Sequence, residues 1–438
     1  MIGAALVAAI PAFVPGDADG GGGDRGSTRP RRQDAVTIPA DTAPKDIQRL
    51  VASVGNGGRI RFEPGIHRID PPLRISNKEG ITIEGEDGAW LEASRSQRRT
   101  PPPLVPPLDD CDASLPCIWP GRGSWKPLFV SPFETPLVSI ETSRNITLDS
   151  VNIRKNWPNH VMASHVQGLQ IRNGRFVGGT NVLVAEGLET RNLRLVGNSW
   201  TQDVSGTLWS SLDWAQAHHG IHAYFNGAFL QGRDLGPGIT IRDNEIRNAF
   251  NGIRIKVRES SCLLSEDADK TDCPHNHDIL VEGNFFERIS DNAFEPENFA
   301  KNVTIRGNTF RGFNGALSLD GVQVEGMRVS RNIFSSVGLP RQSLPEQHCS
   351  DWRHDRIRAI KADSGTILSD VVVDDNEWPM FHHLLQRSSL YGGYLSDRYF
   401  SVLNTATQRI HQSLPEGINR PELFRENAPD GHDGPGSC

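Results

Sequence analysis

Six times between Leu193 and Trp378 the chain returns to one eight-residue pattern: apolar, x, apolar, x, x, Asn, x, large apolar. The copies are LRLVGNSW (Leu193 to Trp200), ITIRDNEI (Ile239 to Ile246), ILVEGNFF (Ile279 to Phe286), VTIRGNTF (Val303 to Phe310), MRVSRNIF (Met327 to Phe334) and VVVDDNEW (Val371 to Trp378). Weaker copies start at Ile81, Ile146 and Leu169, the last two with Val151 and Gly174 in the Asn slot. The copies at Ile279, Val303 and Met327 are 24 residues apart. That is the length of one three-strand coil rather than of an α-helical repeat. Asn suits a fixed tight turn because it tolerates the left-handed conformation, and its amide can bond to the Asn of the next coil. A ladder of asparagines holding stacked coils in register is therefore expected.

A length of 438 residues ordinarily suggests several domains, but a repetitive fold carries it as one body. With 43 glycines, 29 prolines and 37% hydrophobic residues, the composition favours a turn-rich all-β architecture over a helical bundle. The expected fold is a single-stranded right-handed parallel β-helix, a solenoid of about ten coils with long loops flanking one sheet. Asp46 to Ile69 (DIQRLVASVGNGGRIRFEPGIHRI) reads as a short amphipathic helix, a Gly-rich turn and an alternating strand. This segment resembles the entry of pectate-lyase-like β-helix proteins, which implies a helix capping the open end of the coil. The repeat is expected over residues 35–381, with insertions at 95–135, 201–217, 226–238, 258–277 and 335–355. After His382 the pattern is lost, and 382–438 is expected to cover the last coil, whose edge and interior would otherwise be bare.

Residues 2 to 14 (IGAALVAAIPAFV) form an apolar run of signal-peptide length, too short to span a bilayer, and no later segment is longer. Residues 1–15 are read as an export signal and 16–34 as a Gly- and charge-rich linker, so a secreted, extracellular or periplasmic protein is expected. The six cysteines fit that compartment. Proximity pairs Cys111 with Cys117 and Cys262 with Cys273, leaving Cys349 for Cys438, although other pairings are open. No Cys-x-x-Cys spacing supports zinc. A net charge of −7 argues against nucleic-acid binding, which needs a concentrated basic patch.

After each Asn strand comes a second apolar stretch and then a front strand of the form Asn-Gly-Ile-Arg-Ile-Lys. With Ile253 and Ile255 inward, alternation gives outward pairs Ser139/Glu141, Ala163/His165, Val184/Glu186, His222/Tyr224, Arg254/Lys256, Glu295/Glu297, Ser318/Asp320 and Lys361/Asp363. Coils lie ~4.8 Å apart and alternate residues ~6.6 Å apart, so His222, Tyr224, Arg254, Lys256, Glu295, Glu297, Ser318 and Asp320 would share a patch the size of a sugar ring. A solvated face of alternating charges is the plainer alternative. The insertions all fall beside this strand, as the walls of a groove would. In them Trp119, Trp125, Trp209, Trp214 and Trp352 are candidate sugar platforms, or equally the packing that seats each loop.

Two further resemblances touch this patch. HHGI (His218 to Ile221) and NGIRIKV (Asn251 to Val257) are similar to the Gly-His-Gly and Arg-Ile-Lys motifs of polygalacturonases. That likeness implies His219 beside catalytic acids and Arg254 and Lys256 on a galacturonate carboxylate, yet the upstream Asn-Thr-Asp and Asp-Asp motifs have no counterpart. EPENFAKNVTIRGNTFRGFNGALSL (Glu295 to Leu319) resembles the alginate lyase and chondroitinase B family. It implies calcium held by Glu295 and Glu297, with Lys301 as the nearest candidate base. Lys301 is one residue short of that family's spacing, and Asp320 stands where an Arg-His would follow.

The favoured expectation is β-elimination on an acidic, uronate-containing polysaccharide by a monomer. A cation (Arg254, or calcium on Glu295 and Glu297) would neutralise the substrate carboxylate, Lys256 or His222 would act as base, and Tyr224 would protonate the leaving oxygen. His219, Lys301, Ser318, Lys361, Trp209 and Trp214 would contact substrate. Hydrolysis by two carboxyls from Glu295, Glu297 and Asp320 is the second expectation. A non-catalytic glycan-binding module is the third.

Overall fold

A computed structural model of the chain describes residues 33–94, 136–210, 212, 217–218, 223–258, 273–319, 321–335, 358–361 and 367–377. Each repeat becomes a strand, a tight turn and the start of a second strand. Ile239–Arg242, Glu245–Ala249 and Asn251–Lys256 make up one such three-strand coil. The next coil lies directly on it in parallel. Ile239 pairs with Ile279, Ile279 with Val303, Val303 with Met327 and Met327 with Val371. The chain is a parallel β-helix.

Eleven parallel strands among the described residues form the first face, which carries the start of each repeat. The second and front faces join into a single sheet of sixteen strands. They do so because Phe285–Glu297 and Thr309–Ser318 run round the corner between them without a break. Inward residues of all three faces merge into one elongated core. On the second face Phe286, Phe310 and Phe334 stack with ring centroids 5.0 Å apart and planes within 6°. Identical residues at one register height stack in this way because the coils repeat in phase.

The asparagines form the expected ladder. Asn198, Asn244, Asn284, Asn308, Asn332 and Asn376 follow one another, each side-chain amide donating to the Oδ1 of the next at 2.9–3.0 Å. Each backbone N–H donates to the same oxygen, and the amide's second hydrogen goes to a strand carbonyl of the coil before. At the near end, Asn198 Oδ1 accepts from the Gly174 N–H, so the copy without Asn still receives the ladder. The reason for Asn differs from the one expected. The left-handed conformation falls on the residue before it: Gly197, Asp243, Gly283, Gly307, Arg331 and Asp375 have φ between 50° and 67°. The Asn side chain fills the buried corner that this turn opens.

The helix spans Pro44–Ser53 and buries Ile47 and Val51 against the first coils. Pro44 opens it, where a missing N–H is harmless. A strand, Gln33–Ile38, precedes the helix and pairs with Val54–Phe62, so the ordered coil begins inside the stretch expected to be linker. One insertion is corrected: within 226–238 the chain forms the strand Ala228–Arg233, part of the front face. Residues 1–32 and 382–438 lie outside the described residues, as do the insertion 95–135 and most of 258–277 and 335–355. No helix among the described residues is long and apolar enough to cross a membrane.

His160 is wholly buried beside the front strand, with Nε2 3.0 Å from the Gly178 carbonyl and its ring near Phe176. Burial lowers its pKa from 6.5 to about 4, only partly offset by that carbonyl. The unfolded chain takes up this proton first, so stability falls as pH drops from about 6.5 to about 4 and then levels off. At about 1.4 kcal/mol per pH unit the loss is about 3 kcal/mol. Urea midpoints at pH 7.5 and 4.5 are expected to differ less in His160→Gln than in the parent. Asn308→Ala, which strands the Asn284 backbone and side-chain donors, is expected to lower unfolding free energy by about 3 kcal/mol in the same titration.

Candidate active site on the front face

Register fixes two outward columns on the front face. One runs Arg74, Ser139, Met162, Val184, Gln231, Arg254, Glu295, and the other Ser76, Glu141, Ser164, Glu186, Arg233, Lys256, Glu297. Ser318 continues the first, because Leu317 faces Phe294, and Lys361 pairs with Ser318. The acids near position 296 thus lie directly against the bases near 255, as the repeat predicts.

Two coils depart from the sequence reading. Met162 and Ser164, not Ala163 and His165, point outward; Ala163 is in the core, and the apolar Met162 disguises the alternation. In the next coil but one, Gln231 and Arg233 take the positions expected for His222 and Tyr224. The sequence does carry a signal for this. Front strands ending at Glu186 and Glu297 reach the next first-face strand within six residues, and Arg233 does likewise, whereas a strand ending at Tyr224 would need a much longer turn.

Tyr224 instead sits in a single 3-10 turn, Ala223–Phe225, buried with Trp157, Leu208, Leu212 and Phe250. Its ring meets Trp157 edge-on at 5.6 Å. Burial, reinforced by the Asp203 carboxylate, pushes its phenol well above the usual range, which removes it as an acid for the leaving group. Trp209, in the short helix Thr207–Ser210, is 4% exposed, so it offers no platform for sugar. Ser318 is buried as well. Lys301 lies on the first face, in Phe299–Arg306, with its ammonium 2.8 Å from Glu325, and so does not reach the front-face cluster as a base. His219, His222, Trp214, Asp320, Trp119, Trp125 and Trp352 lie outside the described residues. So do Cys111, Cys117, Cys262, Cys349 and Cys438. Cys273, the remaining cysteine, is buried and is not a free thiol.

What the fold does bring together is Arg254, Lys256, Glu295 and Glu297. Arg254 Nε lies against Glu297 Oε1 and 3.4 Å from Glu295 Oε2, and Lys256 Nζ is 3.0 Å from Glu297 Oε2. Asn292 donates to Glu295 Oε1 at 3.1 Å, and Asn226, from the loop wall, accepts from Arg254 Nη1 at 3.5 Å. Neither asparagine is evident in the sequence as a site residue. Burial alone would raise the Glu297 pKa, but the charge and hydrogen bond of Arg254, with help from Lys256, bring it below the usual carboxylate range. Burial would likewise lower that of Arg254, and Glu295, Glu297 and Asp291 more than reverse it. One coil away, Arg233 pairs with Glu186 at 2.6 Å.

Calcium takes 6–8 oxygen ligands. Among the described residues no group of three or more His, Cys, Asp or Glu side chains could hold a metal, and both glutamates already face cations. The described residues alone offer too few free oxygens for such an ion.

No protein-family model matches the chain, and no curated protein matches its sequence. Solved structures are similar in chain path. An endo-xylogalacturonan hydrolase from Aspergillus tubingensis has 9% identity and a TM-score of 0.46, over 79% of this chain and 93% of that one. An alginate lyase has 12% identity and a TM-score of 0.39, over 78% of this chain and 39% of its own length. A mannuronan C-5 epimerase module from Azotobacter vinelandii has 10% identity and a TM-score of 0.24, over 76% and 90%.

Because Glu297 is held below its ordinary pKa of 4.5, the stability it contributes is full above that pH and is lost as pH falls further. Glu297→Gln is expected to unfold at lower urea than the parent at pH 7, by about 2 kcal/mol, and to match it more closely at pH 3.

Proposed function

We propose that the front face binds an acidic, uronate-containing polysaccharide and cleaves it by β-elimination. The observation that carries this reading is Arg254, fixed in an outward position by two glutamates of the next coil. Hydrolysis through a carboxyl pair needs one carboxyl to keep its proton at working pH. Arg254 and Lys256 favour the ionised form of Glu297, and Arg254 reaches Glu295 too, so this pair is poorly suited to supply that acid. Elimination asks for different parts. A cation neutralises the uronate carboxylate and makes the adjacent C–H acidic, a base removes that proton, the double bond forms, and the glycosidic C–O bond breaks.

In this reading Arg254 meets the uronate carboxylate. Lys256, 45% exposed at the face, exchanges the proton between carbon and leaving oxygen. Glu295 and Glu297 orient the two cations and do not touch the reacting atoms. The protein is proposed to act outside the cytoplasm and as a monomer, in keeping with its cysteine usage.

The test is a panel of alginate, pectate, glycosaminoglycans and bacterial exopolysaccharides, with and without chelator. Elimination gives an unsaturated uronate with new ultraviolet absorbance, insensitive to chelator. Reducing ends without absorbance would mean hydrolysis, and neither signal would mean a binding module. Arg254→Ala and Lys256→Ala are each expected to lower kcat/KM about a hundredfold or more.

A further inference from the structure

A second charged surface lies away from the front face, on the second face of the first coils. Four adjacent strands there, Gly65–Ile69, Ala89–Ala93, Asn152–Arg154 and Arg175–Val177, pair in register. Their outward positions hold three arginines, Arg68, Arg154 and Arg175, against one acid, Glu92. Lys155 follows directly and is 54% exposed. Further along the same face Arg247 and Arg311 alternate with Glu245 and Glu287 and balance them. The excess of positive charge is therefore local to the first coils.

The arrangement is rigid. Glu92 is wholly buried, and its two oxygens take Arg68 Nη1 at 2.5 Å and Arg154 Nε at 2.7 Å, with Lys155 at 3.6 Å. Trp90 fixes the other side: the Arg154 guanidinium is 4.6 Å and that of Arg175 5.6 Å from its ring. A single carboxylate cannot neutralise four cations, and it engages Arg68 and Arg154 each through one nitrogen. Arg175 makes no ion pair among the described residues and is exposed. Pre-oriented guanidiniums on a flat face, spaced by the ~4.8 Å between coils, suit carboxylates or sulfates repeated along a sugar chain.

We propose that this patch anchors an anionic polysaccharide, independently of the front face and of whatever chemistry occurs there. A nucleic acid fits less well, because the patch is small and the chain as a whole carries a net charge of −7.

The test uses the full chain and pectate or alginate of defined length, with affinity measured by calorimetry at several salt concentrations. Lys155→Gln with Arg175→Gln removes two charges while leaving the Arg68 and Arg154 contacts to Glu92 in place, and folding is checked by the melting midpoint. The double variant is expected to bind about tenfold or more weakly with a shallower salt dependence, while Arg194→Glu, a charge reversal at an exposed position of the first face, binds like the parent. Unchanged affinity in the double variant overturns the proposal. So does an equal loss in Arg194→Glu, or displacement of the polysaccharide by duplex DNA at equal charge concentration.

Discussion

Everything in this molecule depends on hydrogen bonds that run from coil to coil rather than within a coil. Each strand's polar backbone is satisfied by the strand above and below, and the corners, where strands end, are satisfied by the side chains of Asn198 through Asn376. The corner is otherwise the weak place in such a stack, since a turn buries N–H and C=O groups that no sheet can pair. An amide that both donates and accepts solves it with one residue type in the six coils from Asn198 to Asn376. Asp has no donor and Ser only one, whereas an Asn such as Asn284 donates twice and accepts twice.

That regularity creates the front-face cluster. Arg254 and Glu295 are 41 residues apart in sequence and adjacent in space solely because one coil sits on the next. The loop between Thr201 and Ala228 adds a different kind of order. It packs Tyr224, Phe225, Leu208 and Leu212 over Trp157 and Phe250 at the corner leading into the front strands, and from there Asn226 reaches Arg254. The scaffold supplies the charges and this loop narrows their freedom.

The repeat made the stacking legible: Asn at one phase, large apolar residues two positions later, and inward isoleucines at 253 and 255 suffice to align Arg254 with Glu295. The misplaced coil shows where that logic stops. The segment His222 to Phe225 alternates much like a strand, while the real strand, AFLQGR, opens on Ala228 where neighbouring coils have Asn159, Asn181 and Asn251. Local pattern therefore pointed to the wrong segment, and only the turn length was informative. Tyr224 and Trp209 escape the pattern for a related reason. A loop aromatic looks the same in sequence whether it packs down on the barrel or faces outward, and burial is decided by distant residues such as Trp157. The second-face patch was invisible because its members, Arg68, Glu92, Arg154 and Arg175, belong to four different coils and to strands too short to show a pattern.

The strand Phe285–Glu297 turns the corner in one piece, with Phe286 in the aromatic stack at one end and Glu295 and Glu297 at the other. A single girder thus spans interior and surface. The nesting of Phe286 against Phe310 and the placing of Glu295 and Glu297 against Arg254 therefore share one backbone, which ties the surface charges to the interior of the barrel.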